Sequence, residues 1–231
     1  MTHPPHSRTR IKICGVRRSA DALFAANAGA DAIGIICYPK ASRYVPPETA
    51  RQIAQALPPF VTSVALFVDA SADDIAVAQS AIGATCVQLH GHESPALVRQ
   101  VPTAVIKAIK VDRTTFLADL NAWRQAIREG GLEHLQGLVL ETAGPGVGGT
   151  GIANDWAYIR QLAADGAFQG LPPIIAAGGL TPETVGDVVR AIRPWAVDVS
   201  SGVERIRGEK APELVEAFIA AVRAANDDAA G

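Results

Sequence analysis

The sequence predicts a single-domain α/β protein folded as a closed (β/α)8 barrel, a TIM barrel. Three observations carry that prediction: eight short β-branched runs recur along the 231 residues, each is followed by a segment with helical spacing, and no linker or composition break divides the series. Strict alternation of strand and helix points to a parallel sheet, because a parallel neighbour is reached only through a crossover. Eight units without a break favour one closed barrel over two open sheets, and a doubly wound open sheet is the runner-up.

The expected strands are "IKIC" at 11–14, "AIGII" at 32–36, "SVALFV" at 63–68, "CVQL" at 86–89, "VIKAI" at 105–109, "GLVL" at 137–140, "PIIAA" at 173–177 and "AVDVS" at 196–200. Helix starts are marked chemically. Ser71 with Asp74 three residues on has capping-box spacing, and Ser94-Pro95 and Thr181-Pro182 place proline at a first helical position. Apolar residues in "PETVGDVVRAI" recur at three-to-four spacing. The fifth and eighth helices, in "TTFLADLNAWRQAIREGG" and "APELVEAFIAAVRAA", are expected to be the longest. The barrel is placed at residues 10–225, between a disordered N-terminal tail at 1–9 and a C-terminal tail at 226–231.

A content of 48% hydrophobic and 19% charged residues suits a water-soluble fold with a sizeable core. The net charge of -2, with no basic run, offers no footprint for nucleic acid or an anionic membrane. No apolar run approaches the roughly 18 residues needed to cross a bilayer. The expected partner is a small molecule. Cys14, Cys37 and Cys86 are odd in number and form no C-x-x-C pair, which argues against a disulfide framework and for a cytoplasmic protein. The opening "MTHPPHSRTR" lacks the apolar core of a signal peptide.

Barrel chemistry sits where strands end, at the C-terminal rim. The residues there are Cys14-Gly15, Tyr38 to Arg43, Asp69, His90-Gly91, Lys110, Glu141, Gly178-Gly179 and Ser200 to Gly202. Glycines after the seventh and eighth strands expose backbone N–H groups to an anion, so Gly178, Gly179, Ser201 and Gly202 predict a phosphate site. Cys14 and Glu141 offer a base and an acid of different intrinsic pKa, roughly 8.5 and 4.3. Lys12 shares a strand face with Cys14, and Asp198 on the eighth strand is its expected partner; direct substrate contact by Asp198 is the rival reading. His90 is expected to be a packing histidine. Gly146, Gly148 and Gly151 spell G-x-G-x-x-G, but they do not leave a strand directly and lie in the sixth unit, so a dinucleotide site is discounted.

The chain resembles the phosphoribosylanthranilate isomerase family over nearly all of residues 10–225. The matching stretches are "IKICGVR", "GADAIGIICYPKASRYV", "VALFV", "VQLHGHE", "GGTGIANDW", "AAGGLTPETV" and "AVDVSSGVE", in the right order throughout. The resemblance implies a barrel with no cofactor and no metal, acting as a monomer or homodimer. It implies an Amadori rearrangement of N-(5-phosphoribosyl)anthranilate to 1-(2-carboxyphenylamino)-1-deoxyribulose 5-phosphate in tryptophan biosynthesis. Cys14 then corresponds to the general base, Glu141 to the general acid and Arg43 to the arginine that holds the anthranilate carboxylate. Gly178, Gly179, Ser201 and Gly202, helped by Gly149, correspond to the phosphate cradle. The family's usual aspartate after strand six is a glutamate here, Asn154 stands where an aromatic is common, and Thr184 replaces a frequent asparagine. Two alternatives are an isomerase of a related histidine-pathway phosphoribosyl substrate and a non-catalytic phosphosugar-binding paralogue.

Overall fold

The structure is a computed structural model, and it describes residues 8–144 and 151–228. Eight parallel strands close into one barrel in chain order, β1 to β8. They are β1 (Arg10–Ile13), β2 (Ala32–Ile36), β3 (Thr62–Phe67), β4 (Cys86–Leu89), β5 (Ala104–Val111), β6 (Leu135–Thr142), β7 (Ile174–Ala176) and β8 (Ala196–Val199). Closure is made by β1 against β8, with Ile11 opposite Val197 and Lys12 opposite Asp198.

Period-2 alternation divides the apolar residues between two sides of the barrel wall. Val64, Cys86, Ile106, Val139, Ile175 and Ala196 form a small interior cluster. Ile13, Ile35, Val87, Leu138 and Val197 instead join the larger cluster under the helices, with Phe116 and Phe218 among its biggest buried side chains.

The helices are α1 (Ser19–Ala28), α2 (Pro47–Gln55), α3 (Ala72–Ile82), α4 (Pro95–Val98), α5 (Phe116–Glu129), α6 (Trp156–Ala164), α7 (Val185–Ile192) and α8 (Pro212–Asp227). The fifth and eighth are the longest, as their sequence spans require. Ser71 caps α3 by accepting from the Asp74 N–H at 3.1 Å, and Ser94 caps α4 with Pro95 at its start. The helix after β7 departs from expectation: α7 begins at Val185, and Pro182 lies in the preceding turn. There the Thr184 hydroxyl accepts from the Thr181 N–H at 3.1 Å, closing a turn ahead of the helix. Asn226 near the end of α8 accepts from the Thr9 N–H through its side chain at 2.9 Å.

Two further departures shape the rim. β5 and β6 run longer than their apolar cores, because Lys110 and Val111 give Glu141 and Thr142 ladder partners. Glu141 is therefore held inside a strand and not in the loop after it. Between β8 and α8 the chain adds a 3-10 turn, Ser201–Val203, and an antiparallel hairpin, β9 (Glu204–Ile206) with β10 (Glu209–Lys210). Two-residue and three-residue strands carry too little periodicity to be read from sequence.

A buried ion pair fastens the ends of β3, β4 and β5. Lys107 Nζ reaches Glu93 Oε2 at 3.0 Å and the carbonyl oxygens of Gly91 and Ala108 at 2.8 Å, while the Glu93 carboxylate accepts from the N–H groups of Asp69 and Gly91. Both side chains are almost fully buried. No helix among the described residues is long and apolar enough to cross a membrane. Removing one partner of a buried pair strands the other charge, so Glu93→Ala is expected to cost about 3–5 kcal/mol of stability in urea unfolding at neutral pH; a loss below about 1 kcal/mol, the range of a surface pair, would refute the role.

Candidate active site

A cavity of about 410 Å3 opens at the C-terminal rim. Cys14, Arg43, Glu141, Gly178, Gly179, Asp198 and Ser201 all line it, so the structure brings together most of the residues singled out from the sequence. Gly202 sits behind the wall, where a Cβ would collide with the carbonyl oxygen of Leu180. Gly149 lies outside the described residues, as do Gly146 and Gly148. Asp69 and Lys110 border a neighbouring cavity that shares His90 and Glu141 with the first.

Cys14 follows β1 directly, with its N–H bonded to the Val199 carbonyl at 2.8 Å. Beneath it the expected pair is formed. Lys12 Nζ meets both carboxylate oxygens of Asp198, at 2.8 and 2.9 Å, with both side chains more than nine-tenths buried. Asp198 also lines the cavity, so its pairing does not remove it from a ligand's reach. Burial pushes the Cys14 thiol above its ordinary range, while the Lys12 ammonium beside it pulls the other way. Gly34 on the adjoining strand leaves the room this packing needs, since a Cβ there would press on Cys14 Sγ at 2.7 Å.

Glu141 is largely buried, and its carboxyl is pushed up to about 7, first by burial and then by the negative charge of Asp198. It therefore carries a transferable proton near neutral pH, where an ordinary carboxyl is ionised. His90 Nε2 stands 3.9 Å from Glu141 Oε2. Burial first, then Lys12, Lys107 and Lys110, depress the imidazole to about 3. It is neutral at working pH, and its Nδ1 is 2.9 Å from the Gln88 amide nitrogen. That contact fits a packing histidine that also borders Glu141.

At the far side Gly178 and Gly179 adopt φ of 96° and 62°. Left-handed backbone of this kind favours glycine. A Cβ on Gly178 would strike the Thr142 hydroxyl, and one on Gly179 would strike the backbone of Ala153. Among the described residues neither glycine's N–H has a hydrogen-bond acceptor, which leaves both for an anion. Asn154 is buried and ties β6 to β7, its amide donating to the carbonyls of Leu140 and Ala177 at 3.1 and 3.2 Å.

Three residues escaped the sequence reading. Gln88 is fully buried, lines the cavity and has an Oε1 without a hydrogen-bond partner. Its signal was available, since alternation in "CVQLH" puts Gln88 and His90 on one face. Glu204 and Lys210 belong to the hairpin. Arg43 donates to both oxygens of Glu204 at 2.7 Å, and Lys210 joins the same carboxylate at 2.8 Å. Among the described residues no three His, Cys, Asp or Glu side chains gather as a metal site.

A family model described as N-(5'-phosphoribosyl)anthranilate (PRA) isomerase matches residues 11–221. The chain belongs to this isomerase family. The N-(5'-phosphoribosyl)anthranilate isomerase of Myxococcus xanthus is 42% identical over 217 residues, which cover 94% of this chain and 97% of that one. The crystal structure of phosphoribosyl anthranilate isomerase from Thermotoga maritima aligns with a TM-score of 0.81 at 36% identity, over 94% of this chain and 99% of its own. A phosphoribosyl anthranilate isomerase in complex with reduced 1-(o-carboxyphenylamino)-1-deoxyribulose 5-phosphate aligns at 0.78 with 35% identity, over the same shares. Membership makes the protein an isomerase of tryptophan biosynthesis and sets aside the binding-module and histidine-pathway alternatives.

The raised Glu141 carboxyl has a measurable consequence for stability. The folded state keeps this proton up to about pH 7, whereas the unfolded chain releases it near pH 4.3. Stability from this group is thus fully present below about pH 4.3 and lost as pH rises through 7. Glu141→Gln does not titrate, so between pH 4.5 and pH 8 it should gain on wild type by up to about 3 kcal/mol in urea unfolding. Parallel pH profiles for the two proteins would count against a perturbed Glu141.

Proposed function

We propose that Glu141 is the general acid and Cys14 the general base in the conversion of N-(5-phosphoribosyl)anthranilate to 1-(2-carboxyphenylamino)-1-deoxyribulose 5-phosphate. The single observation that carries this reading is a carboxyl raised to about 7 in the same cavity as a thiol beside a buried lysine. Arg43 would take the anthranilate carboxylate, while Gly178, Gly179 and Ser201 would hold the phosphate. The two anionic ends of the substrate then fix the sugar between acid and base.

In the first step Glu141 gives its proton to the furanose oxygen as the anilino nitrogen lone pair expels it from C1'. The ring opens to a protonated Schiff base. The Cys14 thiolate then removes the proton from C2', and those electrons flow through the C1' iminium to nitrogen. The resulting enolamine becomes the ketone by losing its C2' hydroxyl proton and gaining one at C1'. Atoms and electrons balance, as an isomerisation requires.

A thiol pushed upward by burial is a poor base, so the charge of Lys12 is central to the second step. Lys12 stays protonated, its pKa raised despite burial by Asp198 first and then Cys14. It can therefore support a thiolate throughout the working pH range. The glutamate's extra methylene is accommodated by its place within β6. Strand pairing with Lys110 sets its backbone, and the Thr142 N–H meets its Oε1 at 3.2 Å. The protein is proposed to act in the cytoplasm, as a monomer or homodimer.

The test is turnover of freshly prepared phosphoribosylanthranilate, followed by its fluorescence. Glu141→Gln is expected to lose about 10^2- to 10^4-fold in kcat, the usual worth of a placed acid. Cys14→Ser should fall at least as far, because an alcohol is a far weaker acid than a thiol. Glu141→Asp should retain activity within about 100-fold of wild type, the scale of an ångström's displacement. Full activity in Glu141→Gln would overturn the acid assignment. For wild type, kcat should decline as pH rises past about 7, when Glu141 loses its proton.

A further inference from the structure

Cys14 and Glu141 lie outside the β9–β10 hairpin, which brings two buried charges to the rim. Glu204 receives the Arg43 guanidinium as a fork, Nε to Oε1 and Nη2 to Oε2, both at 2.7 Å. Lys210 gives its Nζ to the same Oε1 at 2.8 Å and to the carbonyl oxygen of Ser200 at 2.9 Å. The side chains of Arg43, Glu204 and Lys210 are only 6%, 3% and 3% exposed. Two positive charges and one negative are thereby withdrawn from water together. Such a cluster is costly unless a second anion joins it.

The fork to Glu204 uses one edge of the guanidinium. A planar guanidinium has a second edge, between Nη1 and Nη2, that matches another carboxylate. Arg43 also lines the catalytic cavity. We propose that Glu204 and Lys210 are positioning residues that hold Arg43 with its second edge toward the cavity, so that the ring carboxylate of the substrate completes a cluster of two cations and two anions. The hairpin thereby selects an arylamine bearing an ortho carboxylate. This inference rests on the isomerase reading and extends it to residues that touch no substrate atom.

The clamp acts on binding. An arginine free to rotate loses rotamer freedom when a ligand orders it, whereas a clamped one has lost that freedom already. Its effect should fall chiefly on carboxylate recognition, since Glu141 belongs to β6 and Cys14 follows β1, with the Lys210 ammonium as the hairpin's one electrostatic link to the thiol.

Wild type, Glu204→Gln, Glu204→Asp, Arg43→Ala and the double variant Glu204→Gln with Arg43→Ala would be compared. Calorimetry would measure Kd for the reduced product analogue and for the same compound without its ring carboxylate, alongside steady-state kinetics. Glu204→Gln should raise KM, and Kd for the carboxylated probe, by about 10- to 100-fold, with kcat within about threefold and Kd for the decarboxylated probe unchanged. Glu204→Asp, which keeps the charge on a shorter stem, should fall between. The double variant should bind no worse than Arg43→Ala alone, because the two residues act as one unit. Equal losses for both probes, additive losses in the double variant, or wild-type affinity in Glu204→Gln would each overturn the inference. Should circular dichroism show Glu204→Gln unfolded, Glu204→Asp against the two probes decides by the same criterion. Wild type that turns over no substrate and binds neither probe would refute the isomerase reading itself.

Discussion

The barrel closes where β1 meets β8, and the Lys12 to Asp198 ion pair lies on that seam, directly beneath Cys14. Burying either charge alone would cost several kcal/mol even after relaxation. The pair therefore works as a constraint on register. Because side chains alternate faces, a slip of one residue between β1 and β8 would send Asp198 to the helix side and strand Lys12 inside the barrel. The same contact places the Lys12 ammonium beside the thiol and the Asp198 carboxylate near Glu141. Closure of the fold and tuning of the site thus depend on one interaction.

From that pair Glu141 and Cys14, the proposed acid and base, receive opposite treatment. Both are buried, and burial disfavours the charged form of each. For Glu141 the Asp198 charge adds to burial, so the carboxyl retains a proton that an exposed glutamate would release. For Cys14 the Lys12 charge opposes burial, although burial remains the larger effect and the thiol stays raised. A single ion pair, seen from its two ends, thus acts on both members of the proposed acid and base pair. His90 borders this arrangement as a neutral ring and so adds no positive charge of its own beside Glu141.

The fold, and which residues gather at the rim cavity, were legible in the sequence for local reasons. Eight apolar runs with intervening helical spacing define the alternating units, and strand ends such as Cys14, Glu141 and Gly178-Gly179 can be picked out once those units are counted. The Lys12 to Asp198 pair followed from alternation along one strand plus closure against the last. Legibility failed where a local turn overrides a helix-start signal and where order comes from nonlocal contact. Pro182 carries a helix-start signal, but a Thr181–Thr184 turn takes its place ahead of α7. β6 runs past its apolar core because β5 continues beside it.

What the sequence by itself determined is the architecture, the family and the kind of group standing at each strand end, since these follow from periodicity and motif order along the chain. Only the tertiary structure decided what those groups experience. The height of the Glu141 carboxyl depends on burial and on a charge that belongs to β8, far away in sequence. The setting of Arg43 depends on Glu204, 161 residues further along, in a hairpin too short to show a pattern. Electrostatics and desolvation act through space and not along the chain, so the chemistry of this rim is written in distances that no stretch of sequence contains.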